Sequence, residues 1–251
     1  MQRQQLEQYL REYLATDSIS DYCPNGLQIE GRQQLQRLVT GVTASQALID
    51  AAVAVNADAI LVHHGYFWKQ ESATITGMKQ RRIKTLLAHD INLFAYHLPL
   101  DIHADVGNNR QLAELFGFTS SAALPGIAPS GLVRFAELAQ PLTSEELAQR
   151  ISSALKRPLT CMVPRPQPIS KVAWCSGGGQ GYIDAAAAQG CDAFITGEVS
   201  EQTVHSAREQ GLAFYAAGHH ATERCGIHAL GEHLAAKFGL QVEFIDIDNP
   251  A

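Results

Sequence analysis

Paired cysteine motifs are missing from this sequence. Its five cysteines are far apart and none forms a C-x-x-C pair, so neither a disulfide framework nor a thiolate zinc site is expected. An uninterrupted apolar run of about 18 residues is also missing. The first residues, MQRQQLEQYLREYL, carry charges throughout instead of the apolar core of a secretory signal. We therefore expect a cytoplasmic protein without a membrane-spanning segment.

An excess of positive charge is absent as well. The 19 Lys and Arg residues are outnumbered by 25 Asp and Glu residues, which gives a net charge of −6 and argues against general binding to nucleic acids or anionic membranes. Neither G-x-G-x-x-G nor G-x-x-x-x-G-K-[ST] occurs, so the run Gly177-Gly178-Gly179 predicts a tight turn rather than a phosphate cradle. What remains is an ordinary globular composition. The 251 residues, 46% of them hydrophobic, suffice for one large domain or two smaller ones.

An internal repeat is present. Residues 38–65, LVTGVTASQALIDAAVAVNADAILVHHG, align without gaps with residues 172–198, VAWCSGGGQGYIDAAAAQGCDAFITGE. The alignment matches Asp50 with Asp184 and Asp58 with Asp192, so it does not depend on shared alanines alone. Each copy reads as a β-prone stretch, a turn, an alanine-rich helix and a second apolar stretch, which predicts a β-α-β unit and a parallel sheet.

The repeat predicts an α/β protein made of two pseudo-repeated halves, each with a mainly parallel sheet flanked by helices. Seven of the ten prolines fall in the part between the copies, which we expect to be a linker and small insert. The expected divisions are an N-terminal half over 1–118, the linker and insert over 119–170, and a C-terminal half over 171–251.

Metal-type side chains follow the predicted strands of both halves. His63 and His64 end one apolar stretch, His97-x-x-x-Asp101 follows the next, and His219-x-x-x-Glu223 takes the corresponding place in the second half. In open α/β sheets the site lies beyond the carboxyl ends of the strands, so these ligands should share one edge. Because Pro99 disfavours a regular helix, we expect Asp101 on a loop. His219 and Glu223 should straddle a helix start.

The three imidazoles of His63, His64 and His219 and the two carboxylates of Asp101 and Glu223 exceed the ligand set of one catalytic zinc. They suit two metals bridged by a carboxylate and a hydroxide, and mixed N and O donors fit Zn, Fe, Mn, Co or Ni. A His-His pair alone is usually an ordinary surface feature. Here two such pairs, His63-His64 and His219-His220, occur in the two halves together with carboxylates at matching places, and this favours metal binding. His97 is either a ligand or a partner that orients Asp101. Glu198 aligns with His64 in the repeat and is either a proton shuttle or a helix cap.

Short strings lie at and around these positions: PNGLQ (24–28), VHHGYFW (62–68), HLPLD (97–101), GNN (107–109), TGE (196–198) and GHHATE (218–223). Together they resemble the Nif3-like dinuclear-metal proteins, also called GTP cyclohydrolase type 2 homologues, and most of all their bacterial YbgI-like branch. The resemblance covers nearly the whole chain and is least in 119–170. It implies two α/β halves, a toroidal homohexamer and a two-metal site facing the ring cavity. The family's ligand positions fall on His63, His64, Asp101, His219 and Glu223.

Two kinds of function are left open. The favoured one is a dinuclear metal-dependent hydrolase of GTP cyclohydrolase type 2-like activity, whose bridging hydroxide attacks a nucleotide or related heterocycle. Glu198 or His97 would move protons, and Arg224 or the basic run at 79–84 would hold phosphate. A related version attacks phosphorus, as a two-metal phosphoesterase. The alternative is a non-catalytic metal-binding hexameric scaffold that presents a surface to a partner protein.

Overall fold

The computed structural model describes residues 1–251. It contains eleven strands, which are β1 Gly26–Ile29, β2 Arg37–Thr43, β3 Ala59–His64, β4 Asn92–Ala95, β5 Ser121–Ala123, β6 Arg134–Leu142, β7 Cys161–Val163, β8 Ile169–Trp174, β9 Ala193–Thr196, β10 Ala213–Ala216 and β11 Gln241–Phe244. The α-helices are α1 Arg3–Tyr13, α2 Gln46–Ala54, α3 Gly77–Ala88, α4 Leu98–Ile102, α5 Asn108–Leu115, α6 Ser144–Leu155, α7 Ile183–Ala188, α8 Glu201–Gln210 and α9 His219–Phe238. None of these helices is both long and apolar enough to span a lipid bilayer.

The chain forms two compact units. The first comprises Met1–Leu100 and Gly226–Asp248, and the second comprises Asp101–Cys225 and Asn249–Ala251. This division differs from the expected boundaries at 118 and 170. One reason is that β11, near the chain end, pairs in parallel with β2 and so belongs to the first unit. Strand pairing between distant segments leaves no local signal in the sequence.

The sheet of the first unit has the strand order β1-β4-β3-β2-β11. Strands β4, β3, β2 and β11 are parallel, and only β1 runs antiparallel to its neighbour β4. Ser45 caps α2 by accepting a hydrogen bond from the Leu48 N–H at 3.3 Å. Side chains of this helix, including Leu48 and Ile49, pack with Ile60 and Leu93 of the strands in the buried core.

The sheet of the second unit has the order β5-β6-β8-β9-β10-β7. Its parallel centre, β8-β9-β10, is flanked by antiparallel strands. Residues 119–170, which we expected to be a linker and insert, supply β5, β6, β7 and α6. Pro141 lies in β6 where the register with β8 shifts, a place that tolerates proline in a sheet. The predicted α/β class with two sheets flanked by helices is therefore confirmed.

The aspartates shared by the two repeat copies have the same structural role in both units. Asp58 Oδ2 accepts hydrogen bonds from two successive backbone N–H groups at the start of β2, both at 2.8 Å. Asp192 Oδ2 does the same at the start of β8, at 2.8 and 2.9 Å. Arg32 pairs with Asp58 and Arg165 pairs with Asp192. The aspartates therefore have the same function in both copies, which is to bind the backbone N–H groups at the start of a central strand.

Two local expectations were wrong. Asp101 lies on helix α4, not on a loop, and Pro99 is the second residue of that helix, where its missing N–H costs no hydrogen bond. His219 and Glu223 do not straddle a helix start, because α9 begins at His219. Both side chains are therefore on one helix, one turn apart, and lie on the same face.

Candidate metal centre

The first unit presents His63 and His64 at the carboxyl end of β3. His63 is fully buried, and its Nδ1 lies 3.0 Å from the Tyr96 carbonyl oxygen. Because a carbonyl only accepts, Nδ1 carries the hydrogen and the lone pair of the neutral ring is on Nε2. His64 Nδ1 lies 3.3 Å from Thr43 Oγ1 on the neighbouring strand. The strand ends at His64, and the two ring centres lie 4.6 Å apart.

Gln28, in the PNGLQ string, holds the turn that follows these histidines. Its Oε1 accepts the Tyr66 N–H at 2.7 Å, and its Nε2 donates to the Tyr66 carbonyl at 3.1 Å and the Pro24 carbonyl at 2.9 Å. A Cβ at Gly65 would overlap Gln28 Oε1 and lie 2.6 Å from the Ala95 Cβ. The H-H-G string therefore needs glycine as its third residue, since any side chain there would displace the histidine turn.

His97 completes a group of three imidazoles in this unit. One ring nitrogen of each of His63, His64 and His97 lies within 4.8 Å of the others. His97 Nδ1 contacts Asp21 Oδ1 at 2.8 Å, and its backbone N–H donates to Asn25 Oδ1 at 2.7 Å. Burial raises the pKa of the Asp21 carboxyl, but the hydrogen bond and charge of His97, with help from Asn25, lower it to about 2. Asp21 is therefore an ionised partner of His97.

The second unit holds Asp101 in a buried network. Asp101 Oδ1 accepts hydrogen bonds from Asn108 Nδ2 at 2.9 Å and Ser176 Oγ at 3.0 Å. Asn109, the next residue, receives the Ser176 N–H on Oδ1 at 2.8 Å and donates to the Leu132 carbonyl at 3.0 Å. The GNN string therefore positions a carboxylate. These bonds use part of the capacity of Asp101, since an ionised carboxylate has about four acceptor sites.

Replacing Asn108 should weaken metal binding. Asn108→Ala removes a donor that orients Asp101, and loss of such a partner typically lowers metal affinity by about 10- to 100-fold. Competition with a chromophoric chelator measures this affinity. Gln111→Ala is the matched control, because Gln111 lies on the same helix and its side chain bonds only to the exposed Asp105 carbonyl. Equal affinities for the two variants would contradict this role of Asn108.

His219 lies between two carboxylates on the second unit. Its Nδ1 contacts Glu198 Oε1 at 2.7 Å, and its Nε2 lies 3.1 Å from Oε1 of Glu223. Burial lowers the pKa of His219, but Glu223 and Glu198 outweigh it and raise the pKa to about 9. Glu198 is 46% exposed on its side chain, whereas Glu223 is almost fully buried. Glu198 thus orients the imidazole from the solvent side.

The glycine run makes room for this pair. Gly177 has a φ of +59°, and a Cβ there would overlap Glu223 Oε1 and lie 3.0 Å from His219 Nε2. The Gly177 N–H donates to Thr222 Oγ1 at 2.9 Å, which ties the turn to α9. The predicted tight turn therefore lines the site of His219 and Glu223.

The donor set fits divalent metal ions. Oxygens of Asp101 and Glu223 lie within 4.8 Å of one another, and both residues are buried, at 4% and 3% exposure. Two carboxylates this close in a poorly solvated place are stabilised by a cation, which the protonated His219 ring beside Glu223 or a bound metal ion can supply. Burial raises the pKa of the neighbouring Cys175 thiol, and the charges of the same two carboxylates raise it further. Imidazole and carboxylate donors of this kind suit Zn, Fe, Mn, Co or Ni.

Each unit therefore brings several of the predicted residues together, His63, His64 and His97 in the first and Asp101, Glu198, His219 and Glu223 in the second. Sequence reasoning missed the residues that orient them. These are Asp21, Asn25, Gln28, Asn108 and Ser176. Only the short strings around some of them carried a signal.

The basic run does not act as a unit. Lys79 is 8% exposed, pairs with Glu71 at 3.3 Å and donates to the Ser72 carbonyl at 2.9 Å. Its ammonium also lies 4.8 Å from the centre of the Phe67 ring. Lys79 therefore stabilises the loop after the histidine pair, whereas Arg81 and Lys84 are exposed.

Comparison with known proteins identifies relatives over the whole chain. The protein from Haemophilus influenzae named GTP cyclohydrolase 1 type 2 homolog is 58% identical over all of both chains, and so is the protein of the same name from Escherichia coli. A solved structure described as protein ybgI of unknown function superimposes over all of both chains with a TM-score of 0.95 at 57% identity. A protein from Thermus thermophilus does so with a TM-score of 0.90 at 32% identity.

These matches confirm the resemblance that the short strings indicated. The family model Duf34/NIF3 (NGG1p interacting factor 3) matches residues 1–250. The chain belongs to the DUF34/NIF3 family.

Proposed function

We propose that this protein is a dinuclear metal-dependent hydrolase that opens a C–N bond of a nucleotide or related heterocycle, as a GTP cyclohydrolase type 2-like enzyme would. The observation that carries the proposal is the buried pair of carboxylates, Asp101 and Glu223, within 4.8 Å of one another. Its relatives carry the name GTP cyclohydrolase 1 type 2 homolog, which supports the choice of substrate class.

The proposed ligands are His63, His64, Asp101, His219 and Glu223. His63 is prepared for this role because its Nδ1 donates to the Tyr96 carbonyl and leaves the Nε2 lone pair for a metal. Asp101 and His219 are likewise held by Asn108 and Glu198. Two divalent ions held by these residues would act as Lewis acids and would lower the pKa of a water molecule to near neutrality.

The chain itself supplies the groups that move protons. His97 has an ionised partner in Asp21, so its ring can take up a proton and share the positive charge with a carboxylate. Glu198 is half-exposed and also contacts Gln180 Nε2 at 3.2 Å, a position from which it can exchange a proton with solvent. Both roles belong to the proposal, with His97 held by a buried carboxylate and Glu198 exposed to solvent.

The family resemblance also implies a toroidal homohexamer, which we include in the proposal together with the cytoplasmic location expected from the sequence. Mass photometry of the purified protein measures the assembly. A mass near six times the chain's 27.2 kDa is expected, and a monomer would contradict the hexamer.

A nucleotide screen tests the activity. Protein purified without affinity nickel and supplied with Zn, Mn, Fe, Co or Ni should consume a purine nucleotide, seen as a loss of ring absorbance with one water consumed per C–N bond broken. Glu223→Ala should abolish this turnover with the fold intact by circular dichroism. Release of inorganic phosphate with the ring intact would instead show a two-metal phosphoesterase. No consumption of any nucleotide, with loss of assembly in Glu223→Ala, would contradict the enzyme and favour a scaffold.

A further inference from the structure

Asp21 is saturated with hydrogen bonds from the segments around it. Its Oδ1 accepts the Tyr22 N–H at 2.6 Å and contacts His97 Nδ1 at 2.8 Å. Its Oδ2 accepts Asn25 Nδ2 and the Leu98 N–H, both at 2.9 Å. The side chain of Asp21 is 3% exposed. Four donors on one buried carboxylate fix its position and favour its ionised form.

This geometry decides which ring nitrogen of His97 carries hydrogen. An ionised carboxylate can only accept, so the 2.8 Å contact requires a hydrogen on His97 Nδ1. In the neutral imidazole the lone pair is then on Nε2. The Asn25 side chain accepts the His97 backbone N–H at 2.7 Å and donates to Asp21. Asn25 therefore holds the backbone of His97, and Asp21 holds its ring.

An alternative interpretation is that Asp21, Cys23 and His97 form a metal site, since their ligand atoms lie within 4.8 Å of one another. The bonding of Asp21 argues against it, because each of its oxygens already receives two donors.

We propose that Asp21 is a positioning residue, which fixes the direction of the His97 ring and its tautomer with hydrogen on Nδ1. The lone pair of the neutral ring is then on Nε2. This inference rests on the proposed function, in which His97 moves a proton. Asp21 itself touches no reacting group and acts through the ring that it orients.

Solid-state ¹⁵N NMR of protein with ¹⁵N-labelled histidine rings tests the tautomer directly. The protein is supplied with zinc, which is diamagnetic, and the His97 signals are assigned by their loss in His97→Gln. In wild type the neutral His97 ring should show hydrogen on Nδ1 and none on Nε2. In Asp21→Asn the amide can donate, so we expect the hydrogen to move to Nε2.

Asn25→Ala separates positioning from a general structural role. This variant removes bonds to both Asp21 and the His97 backbone but keeps the carboxylate, so the Nδ1 hydrogen should persist. Asp17→Asn, at an exposed aspartate paired with Arg11, should leave the His97 tautomer unchanged. The proposal is overturned if His97 keeps its hydrogen on Nδ1 in Asp21→Asn, or if Asn25→Ala moves it as well.

Kinetics adds a second readout once a substrate is found. Asp21→Asn should lower kcat by about 10²- to 10⁴-fold with little change in KM. Since the NMR result does not depend on turnover, a moved hydrogen in a protein that consumes no nucleotide would leave the role of Asp21 standing and contradict only the proposed function.

Discussion

Glu223→Gln is expected to lower metal affinity by about 100-fold or more, because it removes a ligand, whereas loss of a ligand's partner alone costs about 10- to 100-fold. Glutamine has nearly the same shape as glutamate but lacks its charge, so α9 should remain folded. The change also removes one of the two close buried carboxylates, which reduces their mutual repulsion in the metal-free protein, and it weakens the ion pair of Glu223 with His219, which acts in the opposite direction. Isothermal titration with zinc measures the affinity, and thermal unfolding measures the stability.

Glu232→Gln provides the matched control. Glu232 is on the same helix, also one turn after a histidine, and its Oε1 lies 3.8 Å from His228 Nε2. That pair is exposed, at 50% and 71%, so its loss should change neither metal affinity nor stability by a measurable amount. Equal zinc affinities for the two variants would show that Glu223 is not a ligand. If the metal-free protein is more stable than wild type in Glu223→Gln but not in Glu232→Gln, the repulsion between the two carboxylates is supported.

The second large effect is expected at Gly177. Gly177→Ala places a Cβ in the left-handed backbone region and against Glu223 Oε1. The backbone strain costs about 1–2 kcal/mol, and the overlap adds about 1–3 kcal/mol if nothing moves. Because Glu223 is a flexible side chain, part of the overlap should be relieved by displacing its carboxylate. We therefore expect both a loss of stability and a loss of metal affinity.

Gly190→Ala separates the two contributions. Gly190 has a φ of +68°, and a Cβ there would meet no atom within 4 Å, so this variant carries the strain without the overlap. It should lose about 1–2 kcal/mol of stability and bind metal as wild type does. Chemical denaturation and zinc titration of both variants give the comparison. If Gly177→Ala binds zinc as tightly as Gly190→Ala, the glycine run does not shape the site.

Local pattern was sufficient for much of the fold and for the candidate site residues. The repeat predicted β-α-β units because its apolar and polar residues alternate with helical and strand periods, and the structure shows β2-α2-β3 and its counterpart around β9. His63 and His64 could be placed at a strand end because Gly65 follows an apolar stretch. Glu198 aligned with His64 only through the repeat, and its contact with His219 could not be read from that alignment.

What sequence reasoning missed depends on contacts between distant positions. Gln28 holds Tyr66, and Asp21 holds His97, yet each of these pairs is far apart along the chain and shares no periodicity. Pro99 was misread because proline is compatible with the first turn of a helix. The strands β5, β6 and β7 were not predicted because prolines are typical of linkers. Prolines also occur in edge strands and at β-bulges.

Each unit contains a carboxylate that contacts the Nδ1 atom of a histidine ring. In the first, Asp21 holds the Nδ1 of His97, and in the second, Glu198 holds the Nδ1 of His219. In both cases a carboxylate orients an imidazole and supports positive charge on it. The difference is exposure, since Asp21 is buried at 3% and Glu198 is 46% exposed. This contrast supports the proposal that Glu198 exchanges protons with solvent.

We propose that five residues of this chain bind two metal ions. A crystal structure tests this, from protein purified without chelator or affinity nickel, with anomalous scattering data collected on both sides of the absorption edge of the metal found by elemental analysis. We expect two anomalous peaks roughly 3.5–4 Å apart, within bonding distance of His63, His64, Asp101, His219 and Glu223. A map with no peak at these residues after reconstitution, or with peaks at other side chains, would show that the proposed ligands are wrong.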